Sequence, residues 1–229
     1  MRNTSLIVIA FLILVLSGKT TARYAHKPIT QKQEFIKDTI VKQDTIQDVN
    51  GKSAMFIGDS HTANHHWGWQ VILCDNTGLK MNNLSVGGKT TSWMLNVAKT
   101  SVNKGVDYCF IYGGANDMFS HSIKARTALK NVQSIVDICN SKDVHAVVIT
   151  GFNPYTCVVT PDNPGYPKRY ADFQQMLLDS IHGAKVVDTR SAVIRKDCGD
   201  AICHMNHSGH KKMAETIINK MNLKTKNPR

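Results

Sequence analysis

The hydrophobic positions fall into short runs closed by glycine-rich turns, and these runs alternate with stretches of helical spacing. Residues 53–57 are an apolar run that ends in Gly58-Asp59-Ser60, a strand and then a turn. Residues 63–74 suit a helix. Residues 81–86 predict a second strand closed by Gly87-Gly88, and 91–101 a second helix. Residues 106–112 are an apolar strand stopped by Gly113-Gly114. Across 123–140, Ile123, Leu129, Val132, Ile135, Val136 and Cys139 recur at helical spacing. Residues 146–150 predict a fourth strand, followed by a proline-rich loop at 153–167. Helix is expected again over 170–181, a short fifth strand over 185–188, and a last helix over 209–221. This alternation predicts an α/β fold. It is a three-layer α/β/α arrangement around a flavodoxin-like, five-stranded parallel sheet of order 2-1-3-4-5. Chemistry in such sheets takes place beyond the carboxyl ends of the strands.

The two ends of the chain read differently. Arg2, the apolar run 6–16 and the small residues Ser17, Gly18 and Ala22 make residues 1–22 a signal peptide. The protein is therefore expected to be secreted or periplasmic, and an uncleaved leader would hold it next to a membrane. Residues 23–52 are rich in Lys, Gln, Asp and Thr, with Asp38-Thr39-Ile40 recurring as Asp44-Thr45-Ile46, and read as a polar stalk. The folded domain is expected at 53–223 and a frayed basic tail at 224–229.

Composition narrows the picture further. A chain of 229 residues with 42% hydrophobic and 20% charged residues has room for one ordinary domain and an appendage. Lys and Arg number 28 against 17 Asp and Glu, a net charge of +11. For an exported protein this basic balance points to anionic glycans, cell wall or lipid headgroups, and away from nucleic acid. A monomer is expected. Cysteines stand at 74, 109, 139, 157, 198 and 203. Cys198 and Cys203 flank a Gly-Asp turn and are the expected disulfide, while Cys109 lies in an apolar run and reads as a buried thiol. No C-x-x-C, H-E-x-x-H or paired zinc spacing occurs, so no metal is expected.

The chemically suggestive residues all fall at strand ends. Ser60 follows the first strand, Gly88 the second, Asn116 the third, and His204 comes after the fifth. A serine hydroxyl becomes a nucleophile when a base takes its proton, and histidine titrates in the right range. Attack on an ester carbonyl creates an oxyanion that needs fixed donors. Ser60 and His204 meet the first need. The backbone N–H groups of Ser60 and Gly88 and the side-chain amide of Asn116 meet the second. The reaction requires no cofactor.

These residues resemble the SGNH/GDSL hydrolase family. Gly58-Asp59-Ser60 matches its first block, with His61 where many members have Leu. Asn83 and Gly88 match the second, Gly114-Ala115-Asn116-Asp117 the third, and His204-Met205-Asn206 with Gly209 the last. The resemblance spans about 53–222 and implies Ser60 as nucleophile, Gly88 and Asn116 as oxyanion donors and His204 as base. The family's aspartate three residues before the histidine is here Ala201. Asp200, one residue further back, is expected to orient the imidazole; the alternative is a Ser60–His204 dyad held by a backbone carbonyl.

Other motifs are weaker. Gly88-Lys89-Thr90 lacks the glycine that a phosphate loop needs five positions earlier, where Asn83 stands. There is no G-x-G-x-x-G after a strand and no G-x-S-x-G elbow. His61 and His65 could share a helix face and bind a metal, but such residues more often line a polar groove. Trp67, Trp69 and Trp93 could offer flat faces to a sugar ring, with core packing the stronger alternative for Trp93, and Tyr155 and Tyr166 could form a lid or substrate wall or merely fill a surface gap; His61, Trp67 and Tyr155 are the expected substrate-binding side chains. The expected substrate is an acylated glycan that loses acetyl or other short acyl groups. A lysophospholipase or thioesterase on the same site is the enzymatic alternative. A weakened enzyme retained as a glycan-binding module is the alternative of another class.

Overall fold

The computed structural model describes residues 45–120, 123–157, 162–199 and 204–226. The leader, most of the stalk, and Asp200 and Cys203 lie outside them. Five strands form one parallel sheet: β1 (Ser53–Gly58), β2 (Lys80–Asn83), β3 (Tyr108–Tyr112), β4 (His145–Ile149) and β5 (Lys185–Val187), in the order β2-β1-β3-β4-β5. The helices are α1 (Trp69–Thr77), α2 (Thr91–Ser101), α3 (Ala115–Phe119), α4 (Ala125–Ser141), α5 (Pro154–Cys157), α6 (Tyr166–Ser180) and α7 (His207–Lys220). The expected fold class and strand order hold.

Alternation along β3 divides the core. Tyr108, Phe110 and Tyr112 face one side, where Trp69 and Leu73 of α1 and Met213 and Ile217 of α7 close over them. Cys109 and Ile111 face the other, against Met94 and Ala98 of α2, Val132 and Val136 of α4, and Phe173 and Leu177 of α6. Both faces are dry, which is why β3 reads as a continuous apolar run instead of an alternating one.

Several boundaries differ from expectation for local reasons. The first helix starts at Trp69, six residues later than expected, because the Asn64 Oδ1 accepts the N–H groups of His66 and Trp67 and holds a turn there. His61 and His65 therefore share no helix face, which removes the arrangement that suggested a metal. The proline-rich loop contains α5, and Gly113-Gly114 leads directly into α3. The polar segment expected to run to residue 52 joins the fold earlier: Gln47 bridges Leu223 and Val49 is buried. The start of the expected basic tail, residues 224–226, is also held, since Lys224 donates to Asp48 and the Lys226 N–H to the Asn76 carbonyl.

The cysteine pairing is a correction. Cys198 bonds to Cys157, not to Cys203, with a Cα–Cα separation of 5.4 Å across 41 residues. Closeness in sequence was a poor guide here, because α5 carries Cys157 onto the short 3₁₀ turn Arg195–Asp197 that precedes Cys198. Cys109 is buried, as expected, together with Cys74 and Cys139. Closing a loop of this length restricts the unfolded chain strongly. A Cys157→Ala/Cys198→Ala variant is expected to lose about 2–4 kcal/mol in urea unfolding, and an unchanged midpoint would show the bond to be energetically idle.

Candidate active site

The carboxyl ends of β1, β2 and β3 and the start of α7 converge. Ser60 follows β1, in a turn where Asp59 accepts the His61 N–H at 3.0 Å and its carbonyl accepts the Thr62 N–H. His204 stands just before α7, whose first turn is capped by Asn206 accepting the Gly209 N–H at 3.1 Å. Asn206 also donates to the carbonyls of Lys196 and Cys198, and the Gly199 N–H donates to His204 O. These bonds fix the backbone that carries the imidazole.

His204 Nε2 lies 3.0 Å from Ser60 Oγ although 144 residues separate them. At that distance the hydroxyl can hand its proton to the ring. Gly88 has φ +73° and an open position, which lets its N–H be presented without a side chain in the way. Asn116 sits on α3, and its Nδ2 donates to Lys89 O at 3.0 Å, tying the loop after β2 to that helix. The amide carries a second hydrogen for another acceptor. Asp117 beside it is buried and accepts from both the N–H and the hydroxyl of Thr91. The structure thus brings Ser60 and His204 together, and the Asn116–Lys89 bond ties the segment next to Gly88 to α3.

The cleft at this rim encloses about 330 Å³ and is lined by Ser60, His204, Asn64 and Trp67, among others. The expected substrate-binding residues fare differently. Trp67 stands at the cleft with 41% of its surface exposed. His61 also lines the cleft, though it is only 2% exposed and stacks on Tyr112, with its ring 5.4 Å from that of His204. Tyr155 is 62% exposed on α5 and is not among the cleft-lining residues. Trp69 and Tyr166 are core residues, and Trp93 packs against the core under Lys89. Asp200 lies outside the described residues. Asp197 does not substitute for it: its carboxylate accepts from Lys212, Ser208 and the Ile194 N–H. Burial works to raise its pKa, but these donors outweigh it and hold the group below the usual range.

Sequence reasoning missed His210, which also lines the cleft. Its spacing of three from His207 on one helix was the available signal. Its anchor, the N–H of Trp69, lies 141 residues away and has no local signature. Burial first, and then His207 and His204, push the His210 pKa from 6.5 down to about 4. Asp59 moves oppositely: burial raises it from 3.8 to about 7, opposed by the His61 N–H and helped by Asp117.

The two shifts give stability slopes of opposite sign. Unfolded His210 takes a proton near 6.5 and folded His210 only near 4, so its contribution is full above 6.5 and is lost as pH falls through 4. Unfolded Asp59 releases its proton near 3.8 and folded Asp59 near 7, so its contribution is full below 3.8 and is lost as pH rises through 7. Asp59→Asn removes only the second slope. Its unfolding free energy relative to wild type is expected to grow with pH between those two limits, by on the order of 3 kcal/mol. Urea unfolding at acid and neutral pH checks this; a constant difference would contradict the buried-acid assignment.

The comparisons with known proteins agree with this geometry. The sequence profile of the GDSL-like lipase/acylhydrolase family matches residues 56–212. No curated protein matches the chain in sequence. Among solved structures, a member of the lipolytic protein G-D-S-L family from Veillonella parvula superposes with a TM-score of 0.59 at 18% identity, covering 73% of this chain and 97% of that one. An acetylxylan esterase from Geobacillus stearothermophilus gives 0.60 at 16%, covering 76% and 96%. An α/β hydrolase from the metagenome of Lake Arreo, Spain, gives 0.60 at 17%, covering 75% and 95%.

Proposed function

The chain belongs to the GDSL-like lipase/acylhydrolase family and is an ester-bond hydrolase; from that premise we propose that it removes acetyl or other short acyl groups from a carbohydrate through an acyl-Ser60 intermediate. The observation that carries the mechanism is the 3.0 Å contact between Ser60 Oγ and His204 Nε2 at the floor of an open cleft. Ser60 Oγ attacks the ester carbonyl as His204 takes its proton. The N–H groups of Ser60 and Gly88 and the Asn116 amide stabilise the oxyanion. His204 then protonates the leaving sugar oxygen, and water, activated by the same ring, releases the acid.

Asp200 orients His204 in this reading. The commitment of Asp197 to Lys212 and Ser208 supports it by leaving Asp200 as the nearer carboxylate in sequence. A short acyl group is favoured by the modest size of the cleft, about 330 Å³. The likeness to an acetylxylan esterase supports the sugar side. Export to a secreted or periplasmic location is part of the proposal and is supported by the disulfide, a feature of oxidising compartments. The test is acid release from a panel of acetylated glycans, a lysophospholipid and an acyl thioester. Acetate from glycans is the expected result; preferential release of fatty acid would overturn it.

A further inference from the structure

His210 has an unusual pair of neighbours. Its Nδ1 accepts the buried Trp69 N–H at 3.1 Å. A nitrogen that accepts cannot carry the ring proton, so the neutral ring holds it on Nε2. The side chain is 5% exposed and lines the cleft. It is a donor of fixed tautomer, because burial and the neighbouring histidines keep the ring neutral above about pH 4.

Trp67 stands against the same ring, 5.1 Å away and nearly perpendicular, with His207 at 5.9 Å on its other contact. Asn64 fixes the turn that presents it, and Gln70 holds the Asn64 carbonyl in turn. A large, part-exposed indole held edge-to-face beside a single fixed donor is an amphipathic surface. It matches a pyranose ring, which offers a C–H face and hydroxyl acceptors. A simple alkyl chain would leave the donor unsatisfied.

Position assigns this surface to one side of the ester. The leaving oxygen must come within reach of His204 Nε2, and Trp67 and His210 share the cleft with His204. We propose that Trp67 and His210 form the subsite for the sugar ring of the leaving alcohol, Trp67 taking its C–H face and His210 Nε2–H donating to a ring oxygen. The proposal rests on the carbohydrate-ester reading above.

The test compares kcat/KM for a mono-acetylated methyl pyranoside with that for ethyl acetate, in wild type, Trp67→Ala, Trp67→Phe and His210→Asn. The asparagine keeps an acceptor for the Trp69 N–H and removes the far donor. Wild type prefers the pyranoside ester. Trp67→Ala and His210→Asn each reduce that preference about tenfold, mainly through KM, and Trp67→Phe retains most of it. A wild-type preference that survives both substitutions overturns the subsite and leaves the carbohydrate reading standing. No preference in wild type overturns both.

Discussion

Ser60→Ala is expected to reduce kcat on a short-chain nitrophenyl ester by about 10⁴–10⁶-fold while leaving the far-ultraviolet circular dichroism unchanged. The substitution removes the atom that would form the acyl bond, the hydroxyl oxygen 3.0 Å from His204 Nε2. What remains is the rate enhancement from oxyanion donors and substrate binding alone. The effects of the pair should not add: His204→Ala on top of Ser60→Ala should cost little more, because the ring has no proton to take. Activity of Ser60→Ala within tenfold of wild type would mean that water attacks directly, and the covalent route would fall.

The largest structural effect is expected at Gly114. Its φ is +102°, and a Cβ there would lie 2.3 Å from Cε1 and 2.8 Å from Cζ of Phe173. Phe173 is fully buried on α6 and has no room to retreat. Gly114→Ala therefore combines left-handed strain with overpacking, and a loss of about 3–5 kcal/mol is expected. The backbone of α3 must also shift, and Asn116 lies two residues along it. A displaced donor should reduce kcat on the order of 10²-fold in the fraction that still folds. Gly88→Ala separates the two causes. Its φ is +73° but nothing lies within 4 Å of a Cβ there, so only strain of about 1–2 kcal/mol applies. Equal destabilisation by the two substitutions would show that the Phe173 contact relaxes freely.

The elements that were legible in the sequence are those whose pattern is self-contained. The second helix fell at Thr91–Ser101 as expected, and β3 was visible because both its faces are buried. What failed depended on partners distant in the chain or on a single side chain. Asn64 delays α1 by capturing two N–H groups, and Cys157 takes Cys198 from its sequence neighbour. Val49 is part of the core although its surroundings are polar in sequence. At the site, the meeting of Ser60 and His204 was legible because segments that follow the strands in this topology share a rim. The buried acid at Asp59 and the cleft-facing His210 were not, since burial and tautomer arise only from the assembled packing.

The bridge between Gln47 and Leu223, reinforced by the pairing of Lys224 with Asp48, places both ends of the described domain on the rim where the strands begin. Gln47 and Met221 there share a second hollow with His145 and Lys185, the opening residues of β4 and β5. The reactive serine opens at the other end of the same strands. A tether, fusion partner or solid support joined near residue 45 or 226 would thus grip the molecule by its blunt end and leave the working mouth pointing away from the attachment. That polarity keeps the approach to Ser60 clear of whatever holds the other end.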